Sequence, residues 1–89
     1  MSDTEKLVGG WTPYHALSPD DQEVFKIALT GFAGVKYTPS SVATQVVAGE
    51  NFRYKCASSQ PPSDVIWESL VEIYQPPGGK PHITGIIRI

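Results

Sequence analysis

Three side chains in this chain could do covalent or metal chemistry: Cys56, His15 and His82. A nucleophilic cysteine needs a base within reach, a group that orients the base and donors for an oxyanion. The sequence pairs Cys56 with no such set, and two histidines and one cysteine this far apart make no metal-ligand group. Gly78-Gly79 follows two prolines and opens no helix, so it is no phosphate loop. Neither a metal nor a cofactor is therefore expected, and an enzyme is not the reading. What remains is binding. Gln45-Val46-Val47-Ala48-Gly49 joins two strand-like runs, Val42 to Val47 and Asn51 to Cys56. Such connections are normally polar. Here two valines lead into an alanine and a glycine. Either both valines are ordinary strand residues and only Ala48-Gly49 turns, or an apolar tip is offered to a partner. Val47 and Gly49 would then lie at a free tip, where substitution spares the fold.

The elements that must position this tip follow from pattern. Ser18-Pro19-Asp20-Asp21 reads as a helix start, with Ser18 as cap and Asp21 closing a capping box. Apolar residues then recur at Val24, Ile27, Ala28, Gly31 and Val35, flanked by Phe25, Leu29 and Phe32, which predicts about sixteen helical residues ended by Lys36-Tyr37-Thr38-Pro39. Downstream the period becomes two. Phe52, Tyr54 and Cys56 alternate with Arg53 and Lys55, which gives a buried face carrying Cys56 and a solvated charged face. Val65 to Tyr74 reads as a long strand with Trp67, Val71 and Ile73 toward the core, and His82 to Ile89 as the last strand. Trp11-Thr12-Pro13-Tyr14 reads as a short first strand that Pro13 confines to a sheet edge. The fold class is α+β: one helix across a curved antiparallel sheet of about five strands, in a single domain over residues 1–89.

Short connections make the sheet a meander, and strand direction then sorts the loops. Gly9-Gly10, the Val46–Gly49 connection and the Pro76-Pro77 loop fall at one end of the sheet, and the Ser58–Ser63 loop at the other.

These residues resemble the cystatins, inhibitors of papain-like cysteine proteases. Gln45-Val46-Val47-Ala48-Gly49 matches the family's Gln-x-Val-x-Gly hairpin, Leu7-Val8-Gly9-Gly10 is similar to its N-terminal trunk, and Pro76-Pro77-Gly78 stands where many members have Pro-Trp. The resemblance runs from Leu7 to the last strand. It implies a reversible, competitive, tight-binding inhibitor whose rim wedges into the protease cleft. Leu7 and Val8 would fill pockets on the acyl side of the catalytic cysteine, Gly9, followed by Gly10, would let the backbone approach without presenting a scissile carbonyl correctly, Val46 to Gly49, led in by Gln45, would fill the centre, and Pro76, Pro77 and Gly78 would cover the leaving-group side, all as protease-binding residues. Residues 1–8 would form a mobile trunk, and the partners would be papain-like, cathepsin-type proteases. The alternative is a cystatin-fold binding module that does not inhibit.

Composition bounds the rest. A net charge of −2 leaves no basic footprint for nucleic acid, and no apolar run is long enough to span a membrane. Met1 to Lys6 is polar and acidic, unlike the basic start of a secretory signal. A single cysteine allows no internal disulfide, as in the stefin-like members. Both features predict a cytoplasmic protein. The chain is expected to be a monomer, with a domain-swapped dimer on mild heating. The Val46–Gly49 connection lacks the Asn-Gly or Asp-Gly pair that best closes a hairpin. If it opens, its two strands can straighten and exchange between chains. The swapped peak isolated by size exclusion should not inhibit papain, because exchange removes the tip.

Overall fold

The computed structural model describes residues 9–89, so the trunk of residues 1–8, with Leu7 and Val8, lies outside the described residues. The order is α1 (Pro19–Ala28), β1 (Lys36–Val47), β2 (Gly49–Ser59), β3 (Ile66–Gln75) and β4 (His82–Arg88). The four strands form one open antiparallel sheet in sequence order. The class is α+β, with four strands rather than about five. No helix among the described residues is long and apolar enough to cross a membrane.

The missing fifth strand has a physical cause. Residues 9–15 do lie along the free edge of β1, but only Trp11–Gln45 and His15–Val42 form bridges. Four residues from Trp11 to His15 advance against three from Gln45 to Val42, so the register slips by one across Pro13, which has no N–H to give. The backbone bonds that do form are Gly9 N–H to Val46 O, Thr12 N–H to Thr44 O, and a reciprocal pair between His15 and Val42. The segment is a strap rather than a strand.

Helix α1 starts as the sequence predicts. Asp21 N–H donates to Ser18 Oγ at 3.1 Å, and Ser18 N–H donates to Asp21 Oδ2 at 3.0 Å. It ends early, after 10 residues, not about sixteen. The apolar period that continues through Val35 is spent on a linker that reverses at Gly31 and Gly34, both at positive φ. Phe32 leaves the helix and meets the Tyr37 ring at 5.8 Å. Strand β1 begins correspondingly early, at Lys36 rather than Val42. Pro39 is tolerated within it because the pairing slips between Pro39 and Ser41 and β1 has no strand on its other side.

Alternation sets the faces. Val42, Phe52, Tyr54, Cys56, Val71 and Ile73 point at the helix and form one buried cluster with Phe25. Register stacks them in rows: Val42 opposite Tyr54 opposite Val71, and Thr44 opposite Phe52 opposite Ile73. The Tyr54 ring lies 4.8 Å from Phe25, and its hydroxyl donates to the Asp21 carbonyl at 2.7 Å. That bond joins the helix's first turn to the middle of the sheet. Burial, and secondarily the Asp21 charge, push the Tyr54 hydroxyl pKa far up. Deeper in the same face, Ser58 donates to Ser69 at 2.9 Å, so two buried hydroxyls satisfy each other.

Cys56 is 3% exposed, and burial pushes its thiol from 9.0 up to about 12. The unfolded chain releases this proton above pH 9, while the folded chain keeps it. The stability this group contributes is therefore full below pH 9 and is lost as pH rises toward 12. Between pH 9 and 10, before Tyr54 adds its own demand, unfolding free energy should fall by up to roughly 1.4 kcal/mol per pH unit. Denaturant melts of the parent and of Cys56→Ala should show this slope in the parent and a flatter one in the variant.

Candidate functional site

Register fixes the first hairpin down to its tip. Gln45 pairs with Asn51, Val46 with Glu50 and Val47 with Gly49, which leaves Ala48 alone to turn the chain. Val46 and Val47 are half-buried and Ala48 is exposed. Gly49 adopts φ +96°, a conformation that L residues rarely take. A Cβ at this position would overlap the carbonyl oxygen of Gln75 and sit 3.1 Å from Pro76 Cα. Gly49 is therefore not at a free tip: the hairpin backbone is seated against the end of β3. The Tyr74 hydroxyl closes the same contact by donating to the Ala48 carbonyl.

The second loop meets this seat. Gly79 N–H donates to Pro76 O at 3.0 Å, closing a turn over Pro77 and Gly78, and the Gln75 side-chain amide donates to Gly79 O at 3.3 Å. Proline followed by glycine in the middle of such a turn fits its backbone demands. Gly49, Glu50, Gln75, Pro76, Pro77 and Gly78 together line a shallow depression of about 250 Å³. Pro77 and Gly78 are exposed at its lip.

The N-terminal segment joins from the other side. Gly9 N–H donates to Val46 O at 3.0 Å, and Gln45 Nε2 donates to Gly9 O at 2.9 Å. Asn51 Nδ2 donates to Gln45 Oε1 at 2.9 Å, which fixes which way the Gln45 amide faces. Gly9 has φ +86° with nothing within 4 Å of a would-be Cβ, so conformation rather than crowding calls for glycine there. Gly10 is half-buried behind it. The structure thus brings Gly9, Gly10, Gln45 to Gly49 and Pro76 to Gly78 onto one rim, the end of the sheet that strand direction assigns them.

Two residues of this rim escaped the motif reading. Asn51 is the cross-strand partner of Gln45, and Tyr74 is the partner of Asn51 on the next strand. Counting outward from Ala48 would have placed Asn51 opposite Gln45. Tyr74 depends on the β2–β3 register, and no local signal announces it. Its ring meets His82 edge-on at 5.8 Å, so Gln45, Asn51, Tyr74 and His82 form one row across the sheet.

Chemically the rim offers backbone, small apolar side chains and amides. The Cys56 thiol is buried in the core, donates to Tyr54 O at 3.8 Å and is held neutral at ordinary pH, so it has no thiolate character. Neither histidine partners it. His15 Nδ1 lies 3.0 Å from Pro13 O with Nε2 3.7 Å from Asp21, and His82 packs on Tyr74. Among the described residues no group of three or more His, Cys, Asp and Glu side chains could hold a metal ion. No family model, curated protein or solved structure matches the chain.

The seat at Gly49 makes a sharp demand. Gly49→Ala should lower unfolding free energy by on the order of 1–3 kcal/mol in denaturant melts, because it combines left-handed strain with a clash against backbone. Ala48→Ser, one residue away and exposed, should leave the melt unchanged.

Proposed function

We propose that this protein is a reversible, competitive inhibitor of papain-like cysteine proteases, acting by a rim that blocks the active-site cleft. The observation that carries the reading is the joining of Gly9-Gly10, Val46–Gly49 and Pro76–Gly78, far apart in sequence, by hydrogen bonds and close backbone contact. A narrow edge of main chain and small apolar side chains suits a groove that receives extended polypeptide. Because the rim is tied together before any partner arrives, little ordering entropy is spent on binding, and a modest contact can be tight.

Each segment takes a role from its placement. Gly9 turns at positive φ, and Leu7 and Val8, which precede it in sequence, would occupy one side of a cleft. Val46, Val47 and Ala48 fill the centre with small apolar side chains, and no nucleophile or labile group meets the protease cysteine. Pro76, Pro77 and Gly78 cover the far side with a rigid turn. The domain fits the stefin-like, disulfide-free members of the cystatin family, with papain-like, cathepsin-type enzymes as partners and a cytoplasmic location. One feature favours a second reading, a binding module of the same fold that does not inhibit: the lip formed by Pro77 and Gly78 carries no aromatic side chain of the kind that often anchors an interface.

Titration of papain with the protein should give competitive inhibition. Val47→Asp should weaken it by roughly a hundredfold, because the carboxylate would be desolvated in the cleft without a partner. Circular dichroism should show the variant folded. A parent that leaves papain fully active at micromolar concentration, or a Val47→Asp variant that inhibits equally, would contradict the proposal.

A further inference from the structure

Arg53 and Lys55 project from β2 on the face away from the helix, where a solvated pair of charges is the sequence expectation. The structure gives both a partner on the strap. Arg53 Cζ lies 4.3 Å from the centre of the Trp11 ring, and Lys55 Nζ lies 4.2 Å from that of Tyr14. Arg53 is itself oriented from the next strand, because its Nε donates to Glu72 Oε2 at 3.0 Å. A guanidinium held by a carboxylate is fixed in place over the indole, where the ring face attracts its charge. Ala43, opposite Arg53 and also facing away from the helix, is 4% exposed, so this part of the outer face is covered.

The strap needs such holding. Its backbone bonds to β1 are few and slip in register across Pro13. The stacked rings alternate with them: Gly9 bonded, Trp11 stacked, Thr12 bonded, Tyr14 stacked, His15 bonded. Trp11 is the stacked residue nearest Gly9, two residues before the chain reaches the trunk.

We propose that Arg53 is a positioning residue for the rim: by holding the Trp11 ring it seats the strap on β1, and so sets the place of Gly9, from which Val8 and Leu7 follow in sequence. The functional half of this proposal rests on the protease-inhibitor reading. The Arg53 guanidinium is engaged by Glu72 and lies over the Trp11 ring, not in the protease-binding set itself. It acts through Trp11 alone.

The test separates the clamp from the inhibitor reading. Amide hydrogen exchange reports the strap directly, through the Gly9 and Thr12 N–H groups that donate to β1. Arg53→Ala and Trp11→Ala should each speed exchange at Gly9 and Thr12 by roughly twofold to fivefold, the yield of one exposed cation–π contact, and leave the amides of Tyr54 and Val71 unchanged. Arg53→Lys, which keeps the charge and loses the guanidinium, should fall between. If Arg53→Ala proves unfolded, Trp11→Ala and Arg53→Lys carry the test. For binding, Arg53→Ala should speed dissociation from papain severalfold in the parent and by clearly less in a Leu7→Ala/Val8→Ala background, because part of the clamp's effect runs through those residues. Equal loss in both backgrounds would mean general destabilisation and overturn the positioning role. Unchanged exchange at Gly9 and Thr12 would overturn the clamp itself. Should the parent fail to inhibit papain, the inhibitor reading falls, and the exchange rates alone decide whether Arg53 seats the strap.

Discussion

The backbone of Gly49 occupies a place where any side chain would be strained. The Gln75 carbonyl stands where a Cβ would go, and φ at +96° is closed to ordinary side chains as well. With no Cβ in the way, the tip of the first hairpin packs directly on the end of β3, and β3 runs straight into the Pro76–Gly79 turn. Two loops that a four-stranded meander could splay apart therefore share one surface, with Tyr74 bonded across it to Ala48. The third segment is added through Gln45, whose amide holds Gly9 on one side and receives Asn51 on the other. A binding edge assembled this way is set by main chain more than by side chains. That is how a stretch of Val, Val, Ala and Gly could form the contact surface proposed for it.

The core supports the edge through the same strands. β2 and β3 carry Phe52, Tyr54, Val71 and Ile73 into the buried cluster, and Gly49, Asn51, Tyr74 and Gln75 of the rim follow within a few residues. The Tyr54–Asp21 bond and the Phe25–Tyr54 ring contact anchor α1 over the centre of this sheet. Burial of that kind keeps strand register from slipping, since a slip of one residue would turn Tyr54 and Val71 to solvent. Register is what sets Gln45 opposite Asn51, so the rim's geometry is inherited from the core.

Much of this was legible in the chain. Alternation at Phe52, Tyr54 and Cys56 gave the buried face, the Ser18–Asp21 box gave the helix start, and meander connectivity gathered the three rim segments at one end. What escaped shares a cause: local pattern overruled by backbone conformation or by long-range pairing. The apolar period through Val35 suggested a longer helix, but Gly31 and Gly34 turn the chain at positive φ. Pro39 suggested the end of one element, yet it lies inside β1 at an edge and a register shift. Pro13 reduced a fifth strand to a strap. Tyr74 and Arg53 take their places at the rim and the strap through neighbours 26 and 42 residues away, Ala48 and Trp11, and no local motif marks such pairs.

The central claim is that the three rim segments act as one contact surface for a papain-type cleft. Hydrogen exchange of the protein with and without papain, its catalytic cysteine capped by a methylthio group, tests this without relying on turnover. The account predicts that the amides of Gly9-Gly10, Val46–Gly49 and Gly78-Gly79 slow together on addition of the capped enzyme, while those at the opposite end, around Ser59 and Ile66, do not change. Protection confined to the opposite end, or none at saturating papain, would contradict it.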